Sequence, residues 1–199
     1  ALSLTIEAFA LETSNGNANS TATPFTVTVE PVADEVLMLA KNVAVDTKGR
    51  ADLDLNVRMT DDNGSRPGEN PAEQVVITFS DVPDGISLEA GSGGVVNSLG
   101  SNQWQFTGTE AQANELDLRP DAAATGGTYV ISVSAVTKDG TDTLATPVTD
   151  TFQLRIPDVI AGDANANTLT GSGEREFLFG LEDDDILIGA GRNDYLSGG

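Results

Sequence analysis

Two different hydrophobic periodicities divide the chain. Up to about residue 156, apolar and polar positions alternate in short runs, for example at residues 2–8 and 53–59. A period of two is the pattern of a half-buried strand. From Gly162 onward this alternation gives way to a nine-residue period. The sequence therefore predicts an all-β protein with two architectures in succession.

The alternating runs predict seven or more short strands separated by turns rich in Gly, Pro and Asn. This number and spacing are typical of a β-sandwich, and no convincing helix is predicted. Trp104, the only tryptophan, is interpreted as a core residue between the sheets rather than a ligand platform. The predicted strands lie near residues 36–40, 53–59, 75–79, 86–88, 103–108, 115–120, 129–137 and 148–156.

The opening residues resemble the closing strands of this sandwich. Shifted by 127 positions, the opening of the chain aligns without a gap with residues 128–156, so that Ile6 falls on Val133 and Phe25 on Phe152. Two strands do not form a stable unit alone. We expect residues 1–30 to be the end of a preceding sandwich, residues 31–157 to be a complete one, and the chain to be a segment of a longer polypeptide.

The last stretch consists of four nine-residue blocks that follow one another without a gap. Each block opens with glycine and has leucine at its eighth place, and the sixth place is an acid or an amide. A fixed period of nine marks a parallel β-helix whose turns bind calcium. Two blocks form one coil, so blocks two apart stack, with Glu176 over Asp194 and Asn167 over Asp185. We predict that residues 158–199 begin such a β-roll.

Calcium is the ion that this pattern fits. Ca²⁺ takes six to eight oxygen ligands, which turn carbonyls and sixth-place side chains supply. In the acidic run 182–185, the phase of the repeat selects Asp183 and Asp185 as ligands and turns Asp184 outward. The alternatives are a solvated acidic face or a glycine-rich linker, but four in-phase leucines are unexpected in a linker. The predicted ligands are Asn165, Asn167, Glu176, Asp183, Asp185 and Asp194.

The tail resembles the repeats-in-toxin (RTX) nonapeptide, glycine-glycine-x-glycine-x-aspartate-x-apolar-x. The blocks GLEDDDILI and GAGRNDYLS are the most similar. Departures occur at the second and fourth places, where all four blocks lack glycine, and at Asn167 and Glu176, which replace the aspartate. The first two blocks are therefore expected to form an imperfect cap with weaker metal sites.

Residues 31–156 resemble the immunoglobulin-like or cadherin-like repeats of giant bacterial RTX adhesins. The resemblance rests on MTDDNGS, VPDGISLEAG, QWQFTG and the paired closing strands. It implies junction calcium that stiffens a rod of domains. Asp61 and Asn63 have a suitable spacing, and Asp34 with either Glu12 or Asp150 would complete the site. These residues are alternatively ordinary turn formers.

Composition excludes several function classes. The formal net charge of −21 excludes a nucleic-acid binder, which needs clustered Lys and Arg. No apolar run approaches the length of a transmembrane helix. The chain has no Cys and no His, and it lacks nucleophile-elbow and phosphate-loop motifs. We therefore do not expect this segment to be an enzyme.

The resemblance implies a calcium-rigidified extender of a surface adhesin that supports cell adhesion or biofilm attachment. It also implies type I secretion, an extracellular location and partners among neighbouring domains, with host glycans or proteins bound elsewhere. The rival interpretation is the calcium-binding tail of a secreted RTX enzyme or toxin. A first domain split around a ligand-binding module also stays open, as does an ice-binding face suggested by Thr26 and Thr28.

Overall fold

The computed structural model describes residues 3–11, 18–26, 33, 35–60, 73–138 and 146–199. The chain forms two compact units, Ala1–Val32 and Ala33–Gly199. In the first unit, β1 (Ser3–Leu11) pairs antiparallel with β2 (Ala18–Thr26). Nearly all regular structure is strand, so the all-β prediction is confirmed. No helix in the described ranges is long and apolar enough to cross a membrane.

The second unit contains sixteen strands and one short helix among its described residues. Strands β3 to β13 form the sandwich, and β14 to β18 form the tail. The bounds are β3 Val36–Leu37, β4 Val43–Ala44, β5 Ala51–Asp52, β6 Arg58–Met59, β7 Gln74–Ser80, β8 Ile86–Ala90, β9 Val95–Gly100, β10 Gln103–Gly108, α1 Glu110–Ala113, β11 Leu116–Pro120, β12 Gly127–Lys138, β13 Val148–Ile156, β14 Asp158–Ala161, β15 Thr168–Thr170, β16 Glu176–Phe179, β17 Ile186–Ile188 and β18 Tyr195–Ser197.

The internal repeat is confirmed by strand register. In the first unit Leu4 pairs with Phe25. Adding 127 to both positions gives Ile131 and Phe152, which pair in β12 and β13. Because the same offset holds along the hairpin, the opening strands repeat the closing strands of the sandwich at the level of backbone pairing.

Two sheets enclose the sandwich core. The six-stranded sheet has the order β4-β13-β12-β7-β10-β9, and a three-stranded sheet has the order β5-β11-β8. The inward positions of β7, namely Val75, Ile77 and Phe79, are fully buried, and the residues between them face outward. Trp104 is partly buried against this core, in line with its predicted core role. The strand β9 at the sheet edge was not predicted.

The segment 53–59 is only partly a strand. Its burial alternates as predicted, with Leu53, Leu55 and Val57 buried, but strand pairing is confined to β6 at its end. At Val57 a side chain satisfies the backbone groups instead. Asn114 accepts from Val57 N at 2.9 Å and donates to Val57 O at 3.0 Å.

The expectation of no helix was wrong. The four-residue α1 forms because Thr109 and Gln112 make a reciprocal capping box, in which each side chain satisfies a backbone N–H of the other. Glu110 in its first turn accepts from Met59 N at 3.0 Å. The helix therefore positions the side chains that bind the neighbouring irregular segment.

The three-stranded sheet carries a row of carboxylates on one face. Asp117 of β11 pairs with Asp52 of β5 on one side and with Glu89 of β8 on the other. Burial raises the pKa of Asp117, and the neighbouring carboxylate of Asp52 raises it further, while Arg50 at 3.1 Å opposes the shift. Because this pKa is raised, ionised Asp117 costs stability above its titration range, and this cost disappears as the pH falls through it.

We therefore expect Asp52→Asn to stabilise the sandwich at neutral pH. Like charges opposite each other on a sheet cost roughly 0.2–1 kcal/mol, and the amide removes the charge while keeping the size. Thermal melting at neutral pH should show the gain, which should shrink near pH 4 as carboxyl groups become protonated. Asp54→Asn is the matched control, since Asp54 is paired with Lys41 at 2.6 Å and should gain nothing. Equal gains in both variants would contradict the prediction.

Candidate metal centre

The tail forms stacked coils. In parallel pairing, Leu169 lies beside Leu187 and Leu178 beside Leu196, each eighteen residues apart. Residues 158–161 extend the stack in the same register, since Asp158 pairs with Glu176. The predicted stacking of blocks two apart is confirmed.

The roll packs directly on the sandwich. Phe177 and Leu178 are fully buried, and Phe177 belongs to the same apolar cluster as the sandwich core. Tyr195 meets Phe177 edge-on with ring centroids 5.4 Å apart. The eighth-place leucine Leu196, in the last repeat, is 44% exposed. The boundary predicted between residues 157 and 158 stays a prediction, since residues 33–199 form one compact unit.

The sixth-place aspartates of the last two repeats point into the spaces between coils. Asp185 Oδ1 accepts from the backbone N–H of Asn167 at 2.8 Å. Asp194 Oδ1 accepts from the backbone N–H of Glu176 at 3.0 Å in the same way. The predicted pairs therefore meet, one coil above the other, on opposite sides of the roll.

Two carboxylate oxygens in these spaces are buried without a hydrogen-bond partner. They are Glu176 Oε2 and Asp185 Oδ2. The other oxygen of Glu176 accepts from the backbone N–H and the hydroxyl of Ser172. A buried polar atom without a partner is costly, and a water molecule or a bound ion in contact with it removes that cost.

The first-place glycines make room for these oxygens. A Cβ on Gly180 would collide with Asp185 Oδ2, and one on Gly189 would collide with Asp194 Oδ2. A Cβ on Gly171 would lie 2.6 Å from the carbonyl oxygen of Gly189 and 3.1 Å from Glu176 Oε2. At Gly171, a backbone carbonyl oxygen and a carboxylate oxygen therefore lie together. The repeat predicts turn carbonyls as ligands, and the structure identifies the carbonyl oxygen of Gly189 as one that lies beside Glu176 Oε2.

The donor set fits calcium. It consists of hard oxygen atoms, as Ca²⁺ requires, with carboxylates on at least one member of each stacked pair. Among the described residues, no group of three or more acidic side chains is close enough to hold a metal. A calcium site here would therefore take its remaining oxygens from backbone carbonyls and solvent.

In the first two repeats, loop side chains form hydrogen bonds within their own loop. Asp163 Oδ1 accepts from Asn165 N at 2.9 Å and from Asn167 Nδ2 at 3.3 Å. The amides of Asn165 and Asn167 lower the pKa of Asp163. In the second repeat, Ser172 Oγ accepts from Glu174 N. These local turns differ from the left-handed loops of the later repeats.

The loops of the last two repeats adopt left-handed conformations. The second-place residues Leu181 and Ala190 have φ of 78° and 71°, and the fourth-place residues Asp183 and Arg192 have φ of 74° and 55°. These are the places where the resembled repeat has glycine. For residues with a Cβ, this conformation costs roughly 1–2 kcal/mol.

Leu181→Gly and Ala190→Gly should therefore each stabilise the roll. We expect a gain of about 1 kcal/mol per site, because glycine adopts positive φ without a steric penalty. Denaturant melts of the two variants measure it. Ala164→Gly, in the first repeat and outside the left-handed positions, is the control and should bring no gain. A loss of stability in Ala190→Gly would show that this loop conformation is wrong.

The remaining predicted ligands differ in outcome. Asp183 is exposed, and its Oδ1 accepts from Asp184 N at 2.9 Å, so its side chain turns onto its own loop. Asn165 is also exposed and donates to Asp163. The structure does not bring these two side chains into the stacked pairs.

The predicted junction site stays a prediction. Asp34, Asp61 and Asn63 lie outside the described residues. Asp150 is half-buried, and its two oxygens accept from Ala40 N at 2.9 Å and Thr151 N at 2.8 Å. The contact with Ala40 joins β13 to the segment that follows β3.

Comparisons with known proteins do not identify a family for this chain. No protein-family model matches the sequence, and no curated protein matches it. A solved structure of the Enterococcus faecalis MSCRAMM ACE, described as binding its ligands by the collagen Hug model, is similar over 75% of this chain. The identity is 8%, the TM-score is 0.30, and the chain spans 59% of that structure's length. A TM-score of this size does not establish a shared fold.

Proposed function

We propose that this chain is a calcium-binding structural segment of a secreted bacterial surface protein, in which a β-sandwich extender continues into an RTX-type β-roll. The observation that carries the proposal is the pair of buried, partnerless oxygens, Glu176 Oε2 and Asp185 Oδ2, between stacked coils. Calcium, when bound, supplies positive charge that neutralises these carboxylates and links adjacent coils.

The charge of the chain supports the same proposal. A net charge of −21 opposes a compact state by self-repulsion. Extracellular calcium modules bind with Kd of roughly 10⁻⁴–10⁻³ M, so they stay empty in the cytosol and fill outside the cell. Folding of the roll would thus be coupled to export. Because Phe177 lies in the core that the roll shares with the sandwich, ordering of the coils would also stiffen the sandwich end.

Adhesion is the role that this design serves best. A segment that is rigid only in calcium suits a rod-like extender on the cell surface, and the repeated hairpin register suits tandem modules. The ligand-binding part would lie in other domains of the full protein.

Calcium should raise the melting temperature substantially. Two sites at about ten to one hundred times their Kd contribute roughly 3–5 kcal/mol together, which corresponds to about 6–20 °C for a domain of this size. Circular dichroism melts in EDTA, calcium and magnesium measure the shift. Magnesium is the control, because it demands six-coordinate geometry and dehydrates reluctantly. Identical melts in calcium and in chelator would refute the proposed function.

A further inference from the structure

A cleft of about 470 Å³ lies where the roll meets the sandwich. The ends of β12 and β13 form one wall, with Gly127, Thr128 and Arg155. The loops of the second and fourth repeats form the other, with Arg175 and Arg192. Its volume is in the range of small-molecule sites.

Positive charge is concentrated in this cleft. The chain has 10 basic residues against 31 acidic ones, yet three arginines line this one cleft. Two acids also line it. Glu174 is paired with Arg192 at 3.3 Å, and Asp158 Oδ1 lies against Gly126. The ion pairs of the described residues include neither Arg155 nor Arg175.

Arg175 supplies the second observation. Its Nε and Nη2 atoms are buried and have no hydrogen-bond partner. Its guanidinium carbon lies 5.9 Å from the centroid of the Phe177 ring, which limits where the group can turn. Two adjacent N–H donors of a guanidinium form the fork that binds a carboxylate or sulfate through two parallel hydrogen bonds.

We propose that this cleft binds a small oxyanion, a carboxylate or a sulfate, either free or carried by a sugar. Arg175 forms the two-pronged contact, and Arg155 supplies further charge from the sandwich wall. The ligand would thus join the roll to the sandwich. This site does not depend on calcium binding by the stacked pairs, and its arginines contact neither of the partnerless carboxylate oxygens.

The test is a titration of the ¹⁵N-labelled chain followed by NMR at constant ionic strength. The probes are sodium sulfate, sodium acetate, sodium glucuronate and, as the uncharged match, glucose. We expect saturable millimolar shifts at Gly127, Thr128 and Arg175 with the anions and none with glucose. Tighter binding of glucuronate than of acetate assigns the site to an anionic sugar, and equal binding assigns it to a free oxyanion.

Substitutions of the cleft arginines test whether the anion binds in the cleft. Arg175→Met should weaken anion binding at least tenfold, which is 1.4 kcal/mol. Arg58→Met, on β6 and outside the cleft, should bind as the unaltered chain does. Arg155→Gln is the second variant if Arg175→Met does not fold. Shifts that grow linearly without saturation, or unchanged affinity in both cleft variants, would overturn the proposal.

Discussion

The double variant Asp185→Asn with Asp194→Asn is expected to lose nearly all of the calcium-dependent stabilisation. Each asparagine keeps the oxygen that accepts from the coil above, at 2.8 Å and 3.0 Å in the native chain, so the roll keeps its hydrogen bonds. What disappears is the charge that calcium needs as a counterpart. The expected shift in melting temperature on adding calcium falls from about 6–20 °C to a few degrees.

In EDTA the double variant should no longer be less stable than the native chain. Removing half-buried charge without a counterion relieves a desolvation cost, so the double variant should melt no lower than the native chain in EDTA. The control is Glu182→Gln with Asp184→Asn, which removes the same charge from exposed positions of the third repeat. This control should keep the full calcium response. If it loses the response as well, general charge repulsion rather than the stacked pairs explains the effect of calcium.

Gly171→Ala is expected to be severely destabilising. Its Cβ would lie 2.6 Å from the carbonyl oxygen of Gly189, a backbone atom of the next coil that cannot move without separating the coils. Overpacking of this kind costs about 1–3 kcal/mol, and a weakened calcium affinity should add to it because Glu176 Oε2 lies at the same place. Melting in calcium and in EDTA measures both parts.

Gly173→Ala provides the comparison, because nothing lies within 4 Å of a Cβ at Gly173. The two glycines are two residues apart in one loop, and the substitution is the same. We expect Gly173→Ala to be neutral or slightly stabilising, since alanine restricts the unfolded chain. Equal losses in the two variants would mean that the coils do not approach each other at Gly171 as described.

The periodicities predicted the architecture well, because each reports a repeated geometric constraint. The nine-residue period specified which blocks stack, and the structure places Asn167 over Asp185 and Glu176 over Asp194. The period of two located the strands whose alternate residues are buried, such as β7 and β13. Both patterns depend on many residues, so that single departures do not hide them.

The features that the sequence did not predict depend on single contacts, which leave no periodic pattern in the sequence. The helix α1 forms around one capping pair, Thr109 and Gln112, and a Thr-x-x-Gln signal was available in the sequence. The side chain of Asp183 was assigned to the metal from its place in the repeat. The left-handed backbone there turns it onto its own loop, so that it is exposed. The shared core at Phe177 depends on tertiary packing, which the repeat alone does not encode.

The repeat predicts that turn carbonyls contribute oxygens to the candidate site, but it does not identify which carbonyls. Every residue has a carbonyl, so composition cannot single out Gly189, whose oxygen lies against Gly171. Only the coil geometry brings it beside Glu176 Oε2. A related case is Asp158, which stands nine residues before Asn167 and continues the column of sixth-place acids above Glu176. If the nine-residue repeat is extended one block towards the N-terminus, Asp158 falls at its sixth place.

The most direct measurement is an anomalous difference map from a crystal of this chain grown in calcium. Melting and titration report that calcium acts, whereas the map shows where it lies. We predict a peak at each stacked pair, beside Glu176 and Asp194 on one side of the roll and Asn167 and Asp185 on the other, at about 2.3–2.6 Å from the carboxylate oxygens. Ordered coils with no peak at either pair would contradict the proposal that calcium holds them together.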